Sequence, residues 1–376
     1  MAKRIEKMQE FLKNHNLDAL LIKSKTMKKY LDTLTGSGVQ ILLMRDAGYL
    51  ILDGRYLTEA NEREHDLQIV LHAPHKTGRN YLGTVEELLK KHKCRSLGVE
   101  SSQMLIKEYR QVEELGVKVC LLDDELAMVR IQKDKEELKI MQEAVDLTDQ
   151  IYAQVIQNLR IGMSEFEISA LIHYFSIKAG AQQMSFDTIV ASGERSAMPH
   201  GRPTGRKIKA HEPIMMDFGI QYKNYQSDMT RIAFFGKPKP EIEKIYNIVL
   251  EAQLAGIKAM KTGALASDVD KAARDIISAY GYGEYFDHGL GHGLGIGDGC
   301  EFPIINQKGT IILDEGMMMS CEPGIYVPNL GGIRIEDDVV ILDGTGIPLN
   351  KTPKELSLIH ISEPTRPEPI SYAVFC

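Results

Sequence analysis

The chain has 376 residues, 43% of them hydrophobic and 26% charged, which is typical of a globular protein with room for two domains. A net charge of −7 argues against a general nucleic-acid binder, and no apolar run is long enough for a membrane span. The five cysteines form no CxxC pair and no apolar signal core is visible, so we expect free thiols and a cytoplasmic location.

The first third of the chain alternates helix and strand signals, which predicts a small α/β domain over residues 1–125. An amphipathic pattern predicts an opening helix over about 3–15. The further elements expected here are strands at 19–22, 39–44, 48–52, 67–71, 96–99 and 117–122, a helix after the turn at 53–56, and a helix over 83–92.

Residues 126–356 predict a second, α+β domain, in which helices alternate with pairs of strands. A long helix over 126–158 forms its entrance, and helices follow at about 164–179, 240–261 and 266–280. The charge run from Lys133 to Glu137 is interpreted as a solvated face of the first of these helices.

A weak internal repeat runs through the second domain. Asp217 and Glu322 each follow an apolar run and precede an x-Gly-Ile step, and a second acid comes after a turn, Asp228 in one half and Glu336 in the other. Each half therefore predicts a β-hairpin with one carboxylate per strand, and two facing hairpins would bring four carboxylates together. A chance similarity of short apolar strands is the alternative interpretation.

Five side chains in this region have the chemistry of a two-metal site: Asp217, Asp228, His292, Glu322 and Glu336. A lone carboxylate is costly to bury, so acids in apolar runs are normally paired, protonated or metal-bound. Four carboxylates and one imidazole suit Mn, Co, Zn or Fe, with carboxylates that bridge two ions. The pattern predicts a dinuclear hydrolytic centre.

Several motifs occur in one order along residues 1–356: Leu34–Gly38, Leu52–Tyr56, Phe186–Gly193, Pro199–Thr204, Met216–Gly219, Ser227–Arg231, His288–Gly295, Glu322–Tyr326 and Arg334–Asp337. With these motifs the chain resembles the creatinase/prolidase/methionine-aminopeptidase superfamily, and within it the Xaa-Pro aminopeptidase/prolidase branch. The resemblance implies an α+β pita-bread catalytic domain preceded by a smaller α/β domain of the creatinase N-terminal type.

The resemblance also implies a role for each candidate residue. Asp217 would chelate one ion, Asp228 and Glu336 would bridge two, and His292 and Glu322 would bind the other. Glu322 would also shuttle a proton, His200 would contact the substrate, His288 would be a second pocket histidine and Arg334 would steady the carboxylates. It further implies two divalent ions, Mn2+ foremost with Co2+, Zn2+ and Fe2+ as alternatives, a peptide substrate, and a homodimer.

One departure from the family pattern concerns substrate specificity. A His-Glu-x-Pro motif is expected after His292, and Glu301 and Pro303 fit it, but Cys300 stands in place of the histidine. The expected activity is hydrolysis of the bond before proline by a metal-bridged hydroxide. The alternatives are a metal-dependent hydrolase with another substrate and a non-catalytic binding protein on the same scaffold. Cys300 and Cys321 are expected to be small buried packing residues.

The last segment, 357–376, lacks periodicity and follows a plausible natural end at Leu356. It closely resembles the translation of a sequencing-library adapter, so we expect a non-native or disordered tail and leave it out of the fold prediction.

Overall fold

The structure, a computed structural model, describes residues 2–63, 66–78, 80–297, 299–356 and 358–359. The helices are α1 Ala2–Asn14, α2 Lys25–Tyr30, α3 Leu57–Glu62, α4 Pro74–Thr77, α5 Tyr81–Lys91, α6 Ile106–Glu113, α7 Asp124–Val129, α8 Lys135–Asn158, α9 Glu165–Lys178, α10 Pro240–Ala259 and α11 Ala266–Ala279. The strands before α8 are β1 Ala19–Ile22, β2 Val39–Met44, β3 Gly48–Leu52, β4 Gln68–Leu71, β5 Ser96–Glu100 and β6 Lys118–Leu122. Those after it are β7 Gln183–Met184, β8 Ile189–Ser192, β9 Ile214–Phe218, β10 Ile220–Tyr222, β11 Tyr225–Gln226, β12 Met229–Phe235, β13 Gly291–Gly293, β14 Glu301–Ile305, β15 Met318–Cys321, β16 Gly324–Val327, β17 Gly331–Arg334, β18 Asp337–Leu342, β19 Thr345–Pro348 and β20 Leu358–Ile359.

The N-terminal part is a six-stranded mixed sheet in the order β4-β3-β2-β1-β5-β6. Its central strand, β1, is buried on both faces, and its side chains alternate between two cores. Leu20 and Ile22 join the core under α1, whereas Ala19 and Leu21 join the core under α5. The predicted alternation of strands and helices is therefore correct, although the short helices α2, α4 and α6 were not predicted.

The single helix predicted over 126–158 is wrong, because the chain forms two helices there, α7 and α8. The side chain of Asp134 accepts hydrogen bonds from the amides of Glu136 and Glu137, and Glu137 bonds back to the amide of Asp134. This capping box starts α8. Before it, the amide of Lys133 bonds to Gly316 O at 2.8 Å, so the linker pairs with another part of the chain rather than continuing the helix.

The interpretation of Lys133–Glu137 as a solvated face is also wrong at both ends of the run. Lys133 and Glu137 are buried. Lys133 lies 3.6 Å from Glu301, and Glu137 accepts a hydrogen bond from Tyr225 at 2.9 Å. Buried charges need such partners, and tertiary contacts supply them here.

The internal repeat corresponds to two similar structural units. In one unit β9 pairs with β12 and a small hairpin, β10–β11, lies between them in sequence. In the other, β15 pairs with β18 and the hairpin β16–β17 is inserted in the same way. Each predicted hairpin is thus real but carries a smaller hairpin inside it, and the amide of Glu336 joins the two units through Thr230 O at 3.3 Å.

The acids occupy equivalent positions in the two units. Asp217 lies within β9, Asp228 directly precedes β12, Glu322 directly follows β15 and Glu336 directly precedes β18. Helices α10 and α11 cover the core behind one unit, while α8 and α9 cover the core behind the other. The acids therefore project from rigid strand ends that are backed by packed helices.

The predicted tail, 357–376, lies outside the described residues except for Leu358–Ile359, which pair with the end of β12. Within the described ranges, no helix combines the length and the apolar character needed to cross a membrane.

The turn at Gly219 provides a test of this architecture. A Cβ at Gly219 would lie 1.8 Å from Ser227 O, whereas one at Gly205 would have no atom within 4 Å. We expect Gly219→Ala to lower the free energy of unfolding by about 1–3 kcal/mol through overpacking. The matched Gly205→Ala should stay within about 0.5 kcal/mol of the unmodified chain in urea unfolding. Equal effects of the two substitutions would contradict the close approach at Gly219.

Candidate active site

Three carboxylates meet at the junction of the two strand units. Oxygen atoms of Asp217, Asp228 and Glu336 lie within 4.8 Å of one another, and all three residues are buried. Each also keeps one buried oxygen that has no hydrogen-bond partner in the described part of the chain: Asp217 Oδ1, Asp228 Oδ1 and Glu336 Oε1. Unpaired oxygens of buried acids are costly, so their grouping is that of a cation site.

His292 and Glu322 lie beside this group. His292 Nε2 is 3.7 Å from Asp228 Oδ2 and 3.6 Å from Glu322 Oε1. Ser320 holds both residues, because its hydroxyl accepts from the amide of His292 at 3.1 Å and donates to Glu322 Oε1 at 2.9 Å. The imidazole Nδ1 bonds to Gly293 O at 3.0 Å, which directs Nε2 towards the acids. The structure thus brings all five sequence-predicted ligand candidates together.

The three carboxyl groups have raised pKa values, as expected for buried acids whose negative charges are not neutralised. Burial raises the pKa of Asp217, with Arg334 opposing and Glu322 adding to the effect. Burial and the neighbouring acids raise the pKa values of Asp228 and Glu336 well above those of ordinary carboxyl groups. Without a cation, the acids reduce their repulsion by holding protons.

The pKa of His292 is raised as well, so the protonated, cationic form of the imidazole is favoured. Burial by itself would lower the pKa of His292, but hydrogen bonding to Cys300 and the charge of Glu322 outweigh it and raise the pKa to about 10. The imidazole thus responds to the surplus of negative charge around it.

Arg334 links the acids to the rest of the cavity. Its guanidinium contacts Asp217 directly and donates to Thr230 Oγ1 at 3.0 Å, and that hydroxyl donates to Glu336 Oε2 at 2.6 Å. A second branch donates from Arg334 to the hydroxyl of Tyr326 at 2.7 Å. Arg334 therefore fixes one oxygen of Asp217 directly and one of Glu336 through Thr230, and it leaves the other oxygens free.

His288 lies at the end of the Tyr326 branch. Its Nε2 is 2.9 Å from the hydroxyl of Tyr326, and its Nδ1 donates to Gly289 O at 2.7 Å. Burial lowers the pKa of His288, with Glu322 opposing, and a neutral ring fits this arrangement because Nε2 then accepts from Tyr326. Both ring nitrogens are engaged within the protein.

The acids open into a cavity of about 540 Å³. His200 is exposed at its wall, as are Cys300 and Arg202, while Phe186 and Asn306 line it further. The cavity is large enough for a short peptide, and its floor carries the candidate metal ligands.

Cys300 corrects one expectation. It is exposed rather than a small buried packing residue, and it lines the cavity beside His292. Its hydrogen bond with His292 lowers the pKa of the thiol, which burial partly opposes. Cys321, in contrast, is buried in the core as expected.

Several residues that support the site had no role predicted from the sequence. Tyr326 and Thr230 lie inside motifs that were recognised, and the alternation of strand residues was the signal that could have identified them. Asp338 accepts a hydrogen bond from the amide of Asp228 at 3.0 Å, across a sequence separation that no local pattern indicates. Ser320 joins His292 to Glu322 in the same non-local way.

Comparison with known proteins identifies the families to which the two parts of the chain are similar. Residues 139–343 match the sequence profile of metallopeptidase family M24, and residues 4–132 match that of the creatinase/prolidase N-terminal domain. An Xaa-Pro dipeptidase of Pyrococcus furiosus is 35% identical over 367 residues, covering 95% of this chain and 100% of that protein.

Two solved structures show the same fold. An Xaa-Pro dipeptidase from Bacillus anthracis superposes with a TM-score of 0.90 at 33% identity, covering 95% of this chain and 99% of that one. An X-Pro aminopeptidase from Thermotoga maritima has a TM-score of 0.85 at 33% identity, with 92% and 98% covered. These matches confirm the predicted pita-bread domain and the smaller domain that precedes it, while the boundary at residue 125 stays a prediction. The chain therefore belongs to metallopeptidase family M24 and is a peptidase.

Proposed function

We propose that this peptidase is a dinuclear, metal-dependent exopeptidase that hydrolyses the peptide bond before proline, as an Xaa-Pro aminopeptidase or an Xaa-Pro dipeptidase. The observation that carries the proposal is the group of three unpaired buried oxygens on Asp217, Asp228 and Glu336, with His292 and Glu322 beside them. Relatives of similar length whose names give Xaa-Pro substrates support the proline specificity.

The donor set fits two divalent ions. Asp217, Asp228 and Glu336 would serve one ion, and Asp228, Glu336, His292 and Glu322 the other, with Mn2+ foremost and Co2+, Zn2+ or Fe2+ as alternatives. Carboxylates can bridge two ions, while a neutral imidazole binds one. When bound, such ions supply Lewis acidity and an activated water near neutral pH.

The remaining side chains bind substrate and move protons. Glu322 is half-buried at the floor of the cavity and accepts from Ser320, so it is placed to take a proton from the attacking water and deliver it to the leaving amine. His200, exposed at the cavity wall, would donate to the substrate around the scissile amide. Arg334 would keep Asp217 and Glu336 oriented.

His288 has a supporting role in this proposal. Because both ring nitrogens are engaged by Tyr326 and Gly289, the residue would shape the cavity wall and hold the Tyr326 hydroxyl, which in turn receives a hydrogen bond from Arg334. We also propose a cytoplasmic homodimer, as the resemblance implies.

Cys300 favours a second candidate, a metal-dependent hydrolase with a different substrate. It stands where the family pattern has a histidine and lines the cavity beside His292. A thiol is a weaker hydrogen-bond donor than an imidazole, so it would hold a prolyl substrate or a tetrahedral intermediate less firmly. A non-catalytic scaffold is less well supported, because all five candidate ligands are present and grouped.

Asp228→Asn tests the metal centre. The amide keeps the side-chain shape but removes a proposed bridging charge, so we expect peptide hydrolysis to fall at least about a hundredfold. The metal-free variant should unfold at a temperature no lower than the unmodified protein, since one repulsive buried acid is lost. Metal content and turnover are measured together, with the exposed Asp343→Asn as the matched control. Full turnover in Asp228→Asn would exclude the two-metal assignment.

The raised pKa values of the buried acids and of His292 predict how strongly bound metal stabilises the folded protein at different pH values. Between the unfolded pKa of a carboxyl group, about 4, and its raised folded value, the native state binds more protons, so stability falls as pH rises. His292, raised to about 10, acts in the same direction above its unfolded pKa. Metal replaces these protons, so the difference in melting temperature between metal-loaded and chelator-treated protein should grow from pH 5 to pH 8. A difference that is constant or shrinks over this range would contradict the proposal.

Hydrolysis of a panel of Xaa-Pro and Xaa-Pro-containing peptides tests the specificity. We expect release of the N-terminal residue that depends on added Mn2+ and stops with a chelator. Cys300→His should increase that release if the missing imidazole limits turnover, and Cys94→His, in the N-terminal part, serves as its control. Two bound ions without cleavage of any member of the panel would support the second candidate and reject proline specificity.

A further inference from the structure

A second cavity, of about 360 Å³, lies in the N-terminal part, between the start of α2 and the loop that leads into β2. All nine side chains that line it are lysine, serine, threonine or glutamine, so among the described residues no carboxylate and no apolar side chain faces it. Three of the nine are Lys23, Lys25 and Lys28. A polar cavity with one sign of charge favours a ligand of the opposite sign.

Lys28 is the most unusual of these groups. It is only 3% exposed, and its described hydrogen-bond partner is a backbone carbonyl, Gly36 O, at 3.3 Å. The nearby acid Glu100 is occupied elsewhere, because it accepts from the amides of Lys23 and Ser24. No described carboxylate lies within 4.0 Å of the Lys28 ammonium group, so among the described residues this buried cation has no paired anion.

The titration of Lys28 agrees with this geometry. Burial lowers its pKa to about 8, with Glu100 opposing and Lys23 and Lys25 lowering it further. The group is still predominantly charged at neutral pH, and an anion in the cavity would offset the cost of its burial.

We propose that this cavity binds a phosphoryl oxyanion, the phosphate group of a small molecule, independently of the peptidase activity. Lys23 is already paired with Glu108, which leaves the ammonium groups of Lys25 and Lys28 to match the two charges of a phosphate dianion. Hydroxyl groups of Thr35 and Ser37 line the same cavity and add uncharged donors. The volume leaves room for an organic group beyond the phosphate.

The position of this cavity separates it from the candidate active site. It shares Ser24, Thr26 and Gln103 with a third cavity, of about 430 Å³, and that one borders the active-site cavity at Cys300 and Ile304. The lining residues of the Lys28 cavity all fall within residues 23–103, and none of them lines the active-site cavity, so a ligand at Lys28 would lie in the N-terminal part.

Binding is tested by calorimetric titration of chelator-treated protein with inorganic phosphate at constant ionic strength, since metal at the active site would itself attract phosphate. We expect saturable binding, and Lys28→Met should raise the Kd at least about tenfold because the ammonium group is lost and the alkyl stem is kept. Lys118→Met, at an exposed position at the start of β6 in the same part, should leave the Kd within about twofold. If Lys28→Met fails to fold, the exposed Lys25→Met replaces it.

A phosphate monoester such as glycerol phosphate distinguishes the two sources of the group. Tighter binding than that of inorganic phosphate indicates that the organic part also contacts the cavity, and equal binding indicates that phosphate alone is recognised. Lack of saturable binding by the unmodified protein would overturn the proposal. Equal losses in Lys28→Met and Lys118→Met would overturn it as well, because they would reflect general charge screening.

Discussion

The cost of holding three buried carboxylates within 4.8 Å of one another governs the structure of the second domain. The described surrounding groups satisfy one oxygen of Asp217 and one of Glu336, through Arg334 and Thr230, and leave one buried oxygen on each of the three acids without a hydrogen-bond partner. Either bound protons or cations can relieve the remaining repulsion between the acids. The raised pKa values of Asp228 and Glu336 show that these acids bind protons more readily than ordinary carboxyl groups. Since protons are scarce at neutral pH, the group is arranged for metal, and the membership of the chain in a metallopeptidase family agrees with that chemistry.

Two similar strand units bring acids that are distant in sequence close together in space. In each, a small inserted hairpin returns the chain to the place where the first acid lies. Behind the second unit, the Asp337 carboxylate forms ion pairs with Arg231 at 2.6 Å and with Lys354 at 2.6 Å. Asp337 and Arg231 are buried, and Lys354 is partly exposed. Arg231 also donates to Glu336 O, so this buried network holds the backbone that carries Glu336. A rigid backbone preserves a charge arrangement that would otherwise relax by separation.

The N-terminal part is connected to the site by buried polar contacts as well as by its core. Glu301 accepts from the amide of Gly297 at 2.7 Å and from Arg130 at 3.2 Å, and it lies 3.6 Å from Lys133. These contacts tie the linker between α7 and α8 to the loop that carries Cys300 beside His292. The conformation of that loop, and hence the cavity wall, thus depends on residues outside the candidate metal ligands.

The sequence by itself determined the elements whose patterns are local. Strands β1, β2 and β3 have the predicted bounds because alternating or continuous apolar runs bury a strand whatever surrounds it. The grouping of Asp217, Asp228, His292, Glu322 and Glu336 was predicted too, because acids inside apolar runs require a partner and ordered motifs indicated the family, while their role as metal ligands stays a prediction. Tertiary structure alone decided the break before α8, where Lys133 pairs with Gly316, and the burial of Lys133 and Glu137. It also decided the exposure of Cys300 and the contact of Asp338 with Asp228, because charge burial and hydrogen bonding there depend on groups far apart in the chain.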